Sequence, residues 1–299
     1  MAKTYREVLS RASSFLESAG LEGYAIHYLF LRRKHWQQLD WLLHMDKDIP
    51  QTDEQQIAAD LTQLLAHQPP QYLLGCEEFY GHTFKVTKDT LIPRPETEEL
   101  VEACLHVTSA QGLLRVVDIG TGTGAIAISL KMARPDWQVA AVDLSPAALA
   151  VAKENADVLG AEIDVYQGDT LAPVIEQQWD LIVSNPPYIS QDEWHLMDVS
   201  VRENEPKMAL FAEDNGLAMY KKMATQAQQC LAVNGQIAVE IGFQQGQAVQ
   251  EIFASAFPNK QVTIKKDLAG QDRMVLVTHP QFVDKYFFCG DNLNEKPMI

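Results

Sequence analysis

Four consecutive residues, Asn185-Pro186-Pro187-Tyr188, bring together groups able to hold a planar –NH2 group. They follow the apolar run Trp179-Asp180-Leu181-Ile182-Val183-Ser184, which reads as a buried strand, so the tetrapeptide lies where that strand leaves a sheet. Proline has a fixed φ and no N–H to donate, so this turn presents carbonyl oxygens in a rigid geometry. The Asn185 side-chain carbonyl and the Pro186 backbone carbonyl can together accept both hydrogens of the –NH2 group. Tyr188 can supply an aromatic face against its plane. Such a cradle suits a nitrogen that is not a natural nucleophile: a carboxamide, or the exocyclic amine of a base. Taken alone, the same residues also make an ordinary turn after a strand.

A second constellation lies upstream. Val116-Val117-Asp118-Ile119-Gly120-Thr121-Gly122-Thr123-Gly124-Ala125 reads as a strand, a glycine-rich turn and a helix start. Glycines let the backbone approach a ligand closely, and a helix N-terminus offers free N–H groups. Asp143 closes the next strand, where its carboxylate can accept hydrogen bonds from two ribose hydroxyls. Gly120, Gly122 and Ala125 also satisfy the loose dinucleotide fingerprint, so the turn by itself leaves NAD open. Two features favour S-adenosylmethionine. The third glycine, Gly124, makes the glycines alternate, which suits a ligand lacking a pyrophosphate. Gly168-Asp169-Thr170-Leu171, beyond the third strand, puts Asp169 near where an adenine amine would lie, although an acid there is also a common solvated turn residue. Together these place a nucleoside cofactor across the ends of strands one to three, with the –NH2 cradle beside it at strand four.

The elements that must position these residues alternate. Strand-like segments at 114–118, 138–143, 163–167, 179–184, 235–240, 262–266 and 274–278 are separated by helical ones at 125–132, 147–159, 216–231 and 245–257. That alternation predicts an α/β fold: a doubly wound, mostly parallel seven-stranded sheet, Rossmann-like, with helices on both faces. The last two strands are too close for a crossover helix and are expected to pair antiparallel. Ahead of them, residues 4–67 read as a small all-helical domain: Tyr5, Val8, Leu9, Ala12, Phe15 and Leu16 keep helical spacing, and Gly20 stops that helix. Thr52-Asp53-Glu54-Gln55 has the composition of an N-terminal cap for a helix through Ile57, Leu61 and Leu65. Residues 78–86 resemble a β-hairpin with a glycine near its turn. Arg94, Glu96 and Thr97, between prolines and a helix, are expected at the mouth of the following domain. The resulting division is 1–75 (helical substrate recognition), 76–93 (hairpin linker), 94–279 (the catalytic sheet domain) and 280–299, a tail with no assigned role.

Composition narrows the chemistry. Among 299 residues, 24 are basic and 40 acidic, a net charge of −16, which disfavours direct nucleic-acid binding. The one compact basic cluster, Arg32-Arg33-Lys34, reads as a solvated helix end. Cys76, Cys104, Cys230 and Cys289 are far apart, and the histidines show no paired spacing, so neither disulfides nor metal catalysis is expected. No stretch approaches a membrane span and the N-terminus has no apolar signal core, so the expected location is cytoplasmic, without a membrane partner.

With these motifs in hand, the sequence resembles the class I methyltransferases, and more closely the peptide-chain release factor glutamine methyltransferases of the HemK type. The likeness covers about residues 1–278. It rests on the glycine turn, Asp143, Asn185-Pro186-Pro187-Tyr188, Glu205-Pro206 with Ala209-Leu210, and Asp267-Leu268-Ala269-Gly270-Gln271-Asp272-Arg273. Ile92-Pro93-Arg94-Pro95-Glu96-Thr97-Glu98 discriminates best, because relatives that methylate a ribosomal-protein glutamine tend to lose its Pro-Glu-Thr portion. The resemblance implies methyl transfer from S-adenosylmethionine, leaving S-adenosylhomocysteine, to the glutamine of the Gly-Gly-Gln motif in class I release factors. It implies that the helical domain docks the factor. It assigns cofactor contacts to Gly120, Thr121, Gly122, Thr123, Gly124, Asp143 and Asn185, and the turn beyond the third strand adds Asp169 and Thr170 to the expected cofactor residues. Asn185, Pro186, Pro187 and Tyr188 would hold the glutamine, with Asn185, Pro186 and Tyr188 acting in catalysis. Thr170 departs from the aromatic residue common there. The rival readings are a ribosomal-protein glutamine methyltransferase, an adenine N6 nucleic-acid methyltransferase, a non-catalytic binding protein and, least favoured, a NAD-dependent oxidoreductase.

Overall fold

A computed structural model describes residues 3–108 and 112–280, apart from the side chains of Gln191 and Leu196. Cys289 and the tail from 281 onward lie outside the described residues. The chain opens with five helices, α1 (Tyr5–Ser18), α2 (Tyr24–Lys34), α3 (Gln38–His44), α4 (Gln51–Leu65) and α5 (Pro70–Leu74). Thr4 and Glu7 form a capping box that satisfies two orphan N–H groups of α1. The apolar stripe of α1 (Leu9, Ala12, Leu16) meets Ile26, Leu29 and Ile57 in a small core of its own.

Two local expectations are corrected here. The fourth helix begins at Gln51 after Pro50, with no side-chain cap, so Thr52 lies inside the first turn. Pro50 holds the N-cap position in an extended conformation and its carbonyl accepts from Asp53 N and Glu54 N, while the Asp53 side chain turns to the Tyr5 hydroxyl at 2.7 Å and Lys34 at 2.9 Å. Nor is the basic cluster a merely solvated end. Arg33 pairs with buried Asp60 through Nε at 2.9 Å and Nη2 at 3.1 Å, Lys34 pairs with Asp53, and Arg32 pairs with Glu78. The three cations tie α2 to its neighbours.

A hairpin follows, β1 (Cys76–Phe79) and β2 (His82–Lys85), turning at Tyr80-Gly81. Its Phe79 and Phe84 are buried in the core of the sheet that comes next. After α6 (Pro95–Val107), started by Pro95, the elements alternate: β3 (Arg115–Ile119), α7 (Ala125–Ala133), β4 (Gln138–Asp143), α8 (Pro146–Leu159), β5 (Asp164–Gln167) and β6 (Trp179–Ser184). Two short helices, α9 (Val199–Asn204) and α10 (Lys207–Leu210), precede α11 (Ala218–Cys230), β7 (Leu231–Glu240), α12 (Gly246–Ala256), β8 (Gln261–Lys266) and β9 (Asp272–Thr278).

The seven strands run in the order β5-β4-β3-β6-β7-β9-β8, parallel except for β9, which is antiparallel to both neighbours. Successive side chains of a strand point to opposite faces, and both faces are covered. Thus Val116, Leu181 and Val183 join the core under α6 and α7, while Val117, Ile119 and Ile182 join the one under α11 and α12. The chain leaves β3 toward β4 and β5, then returns to β6 on its other side. This reversal opens a crevice at the carboxyl ends of β3 and β6, the usual ligand position in such sheets. The polar residues predicted from sequence stand at that edge.

Candidate functional site

The turn after β6 is held from several sides. Ser184 Oγ donates to the Ile119 carbonyl at 2.7 Å, fastening the end of β6 to that of β3. Asn185 Nδ2 donates to Thr97 Oγ1 at 3.1 Å, and that hydroxyl donates to Glu240 Oε2 at 2.7 Å. The Tyr188 carbonyl accepts from Gln245 Nε2 at 2.8 Å, and Gln245 Oε1 accepts from Gly242 N at 3.1 Å. Ile189 exchanges backbone bonds with Leu210 and Ala212, which brings the α10 segment across the turn. Glu240 is the last residue of β7 and is 2% exposed; burial pushes its carboxyl up to about 7. Burial, and next the Glu240 charge, push the Tyr188 phenol up.

Gly216 shows how closely the turn is packed. Its φ is +81°, and a Cβ there would lie 2.1 Å from the Tyr188 carbonyl oxygen. Gly216→Ala is therefore expected to destabilise the protein by about 1–3 kcal/mol and to reduce activity with it. A thermal melt matching that of the unmodified chain would show that the turn yields without strain.

The glycine turn forms a cleft beside this cradle. Gly120 and Gly122 have φ of +71° and +56°, and a Cβ on either would point into open space, so conformation rather than packing selects glycine there. Gly122 N donates to Asp143 Oδ2 and Ser145 N to Asp143 Oδ1, both at 2.9 Å. A carboxylate has about four lone-pair sites, so Asp143 keeps acceptor capacity for a ligand diol. Burial raises the Asp143 pKa, opposed by these backbone N–H groups. The cleft is lined by Gly120, Gly122, Asp143, Asp169, Thr170 and Asn185, together with Leu91, Pro187 and Met208.

The donor set fits S-adenosylmethionine better than a dinucleotide. Asp89, Asp143 and Asp169 line the cleft, and among the described residues no lysine or arginine does. A pyrophosphate would meet negative charge there, whereas a ligand carrying a sulfonium would be attracted. Asp169 pairs with Lys222, which lies outside the lining. Thr170 has φ +55°, an unusual conformation for a β-branched residue, and its hydroxyl donates to Gln226 Oε1 at 2.6 Å. That bond turns Thr170 toward α11.

Some residues expected at the cofactor stand behind the wall. Thr121 Oγ1 donates to Asp118 Oδ2 at 2.6 Å, the Thr123 carbonyl accepts from Asn155 Nδ2 at 2.9 Å, and Gly124 packs against Ile128 and Ala152. They shape the turn from beneath. Asp118 is wholly buried, with its carboxyl pushed up to about 7 by burial, and its Oδ1 has no partner among the described residues.

A second cavity adjoins the cleft. Arg94, Pro186, Tyr188 and Glu240 line it, and Leu91, Asn185, Pro187 and Ala209 line both. Asn185 thus stands at the junction of the two. Arg94 is paired with buried Glu205, which also accepts from Ile92 N at 3.2 Å. Sequence reasoning missed Glu240, Gln245, Asp118 and Asn155. A lone acid directly after the apolar run Ile237-Ala238-Val239 at the carboxyl edge was the available signal for Glu240. Asn155, which also binds the backbone of Lys85 and so ties the hairpin to the glycine turn, left none.

Sheet order, glycine turn and the acid ending β4 are those of the class I methyltransferase fold. Residues 98–202 match the family model described as Methyltransferase small domain, and residues 7–75 match the PrmC N-terminal domain. The release factor glutamine methyltransferase of Enterococcus faecalis is 59% identical over 276 residues, 92% of this chain and 99% of that one. That of Lactococcus lactis is 45% identical over 261 residues, covering 87% and 96%. A methyltransferase from Pyrococcus furiosus, 16% identical, superposes with a TM-score of 0.51 over 74% of this chain and 98% of its own, which speaks to fold alone. The chain belongs to the release factor glutamine methyltransferase family. Among the described residues, no helix is long and apolar enough to cross a membrane.

Proposed function

We infer that this protein methylates the side-chain amide nitrogen of the glutamine in the Gly-Gly-Gln motif of class I peptide-chain release factors. The supporting observation is the position of Asn185, whose amide borders the nucleoside cleft on one side and the Tyr188 cavity on the other. We assign the cleft to S-adenosylmethionine and the adjoining cavity to the glutamine side chain. Bound S-adenosylmethionine supplies an activated methyl on its sulfonium and leaves as S-adenosylhomocysteine.

The residues of the chain provide position and polarity. Asn185 Oδ1 and the Pro186 carbonyl accept the two N–H bonds of the glutamine amide, turning the nitrogen toward the cleft. A glutamine nitrogen is a poor nucleophile because its lone pair is delocalised into the carbonyl. Acceptors on its hydrogens favour the positive charge that develops as the N–C bond forms and the C–S bond breaks. The methylated amide cation is strongly acidic and gives up its extra proton to water, so no dedicated base is needed. Tyr188 bounds the plane of the amide, and Asp143 and the glycine turn hold the nucleoside end. Fixing the two reactants in line supplies much of the remaining effect. The helical unit at 1–75 serves as the docking module for the release factor. The setting follows from this substrate: a cytoplasmic enzyme of translation termination, with a protein partner and no nucleic acid or membrane required.

The test offers the full-length protein methyl-labelled S-adenosylmethionine with one of three acceptors: a purified class I release factor, ribosomal protein or nucleic acid. Label on the release factor alone is expected. Label on either other acceptor with none on the factor would overturn the assignment.

A further inference from the structure

We propose that Thr97 and Glu240 form a polarity relay that fixes which end of the Asn185 amide faces the target nitrogen, so that turnover requires the ionised carboxylate of Glu240. This deepens, and rests on, the glutamine-methylation reading.

The relay follows from counting protons. Thr97 is 5% exposed and its hydroxyl has one hydrogen, which goes to Glu240 Oε2 at 2.7 Å. Toward Asn185, 3.1 Å away, Thr97 Oγ1 can then only accept. The Nδ2 end of the Asn185 amide must therefore face Thr97, and Oδ1 faces away from it. An acceptor is what an –NH2 substrate requires. Neither the strand β6 nor the proline turn fixes this choice, because the two ends of a carboxamide have nearly the same shape.

Protonation of Glu240 on Oε2, the oxygen bound to Thr97, reverses every bond in the chain. An acid hydrogen on the oxygen facing Thr97 is donated to Thr97 Oγ1, which frees the Thr97 hydroxyl to donate to Asn185. Asn185 then satisfies Thr97 with Oδ1 and turns Nδ2 toward the substrate. Donors then face donors, and one buried polar contact is left unmade.

The groups around Glu240 decide where this occurs. Burial holds its carboxyl up near neutrality, with the Glu96 charge adding to the effect. Thr97 from α6, the Tyr188 hydroxyl from the cradle turn and Arg273 from β9 favour the ionised form. Tyr220, on α11, donates to the Glu240 backbone carbonyl at 2.8 Å and leaves the carboxylate alone. Arg273 is itself held by Asp267 at 3.0 Å. The acid form protonated on Oε2 is neutral and turns Asn185 the wrong way, so activity is expected to rise as pH increases through the neutral range.

Thr97 and Glu240 are thus positioning residues, and three variants separate this role from simple packing. Thr97→Val removes the hydroxyl at nearly constant volume, Thr97→Ser keeps it, and Glu240→Gln replaces the titrating group with a permanently neutral amide. Methyl transfer to purified release factor is followed from about pH 6 to 9, with S-adenosylmethionine affinity measured by calorimetry. Thr97→Val is expected to lower kcat by about 10- to 100-fold, while cofactor Kd moves less than about threefold. Thr97→Ser should recover kcat to within about threefold. Glu240→Gln should lose the neutral-range step that the unmodified enzyme shows. Wild-type kcat in Thr97→Val, no rescue by serine, or an unchanged step in Glu240→Gln would each overturn the relay. These failures differ from failure of the underlying reading, in which the unmodified enzyme itself transfers no methyl to the factor at any pH.

Discussion

Replacing Asn185 by alanine is expected to lower turnover by at least about 10²- to 10³-fold, the typical effect of losing one preorganised contact to developing charge. The loss falls on kcat because the acceptor strengthens its interaction only as the glutamine nitrogen becomes positive. Cofactor affinity should change less than about tenfold, since Asn185 is one of many residues lining the cleft and Asp143 with the glycine turn lies elsewhere along it. The substitution also frees Thr97 Oγ1, which keeps its bond to Glu240 and so remains satisfied. Folding should therefore be affected little, and thermal melts of the two proteins should nearly coincide. Steady-state kinetics with saturating release factor, paired with calorimetry for S-adenosylmethionine, measure both quantities. A variant with near-normal kcat would remove Asn185 from the chemistry.

Asp143→Ala should act in the opposite way, on cofactor binding first. Hydrogen bonds to a charged group contribute about 1.5–3 kcal/mol each, so two to a ribose diol together correspond to a loss of roughly 10²- to 10⁴-fold in affinity. A further effect is local. Gly122 N and Ser145 N both lose their acceptor, and with it the glycine turn loses its tether to the end of β4. Asp143→Asn retains one side-chain acceptor and should fall between the two. Calorimetric titration with S-adenosylmethionine reads the effect directly. Unchanged affinity in Asp143→Ala would mean that the ribose does not lie against the end of β4.

Much of this site is legible in the amino-acid sequence, for identifiable reasons. Parallel strands buried on both faces are nearly continuous apolar runs, so the segments ending at Asp143 and Ser184 stand out with the bounds the structure has. The glycine turn and the cradle are contiguous in sequence, and each carries its chemistry within a few residues. Long-range pairing is what local sequence hides. Glu240 and Thr97 are separated by 143 positions and Asn185 and Thr97 by 88, and nothing local marks them as partners. The same limit explains Arg32-Arg33-Lys34, which reads as solvated because its carboxylates come from the hairpin and from α4. The misplaced cap at Thr52 has a different origin: side-chain composition points to that residue, while the N-cap position falls two residues earlier, on Pro50, which has no side-chain acceptor. Thr121 and Thr123 read together with the glycines they separate, but both are buried, and the Thr121 hydroxyl is taken by Asp118, a pairing that local sequence does not mark.

The most direct measurement places the methyl group on an atom. Purified release factor, with its Gly-Gly-Gln glutamine intact or replaced by alanine, is incubated with the protein and methyl-labelled S-adenosylmethionine, and the labelled residue is located by peptide fragmentation. We predict a single methyl on the side-chain nitrogen of that glutamine and no label on the substituted factor. Equal labelling of both factors, or label at another residue, would contradict the glutamine cradle at Asn185 and Pro186.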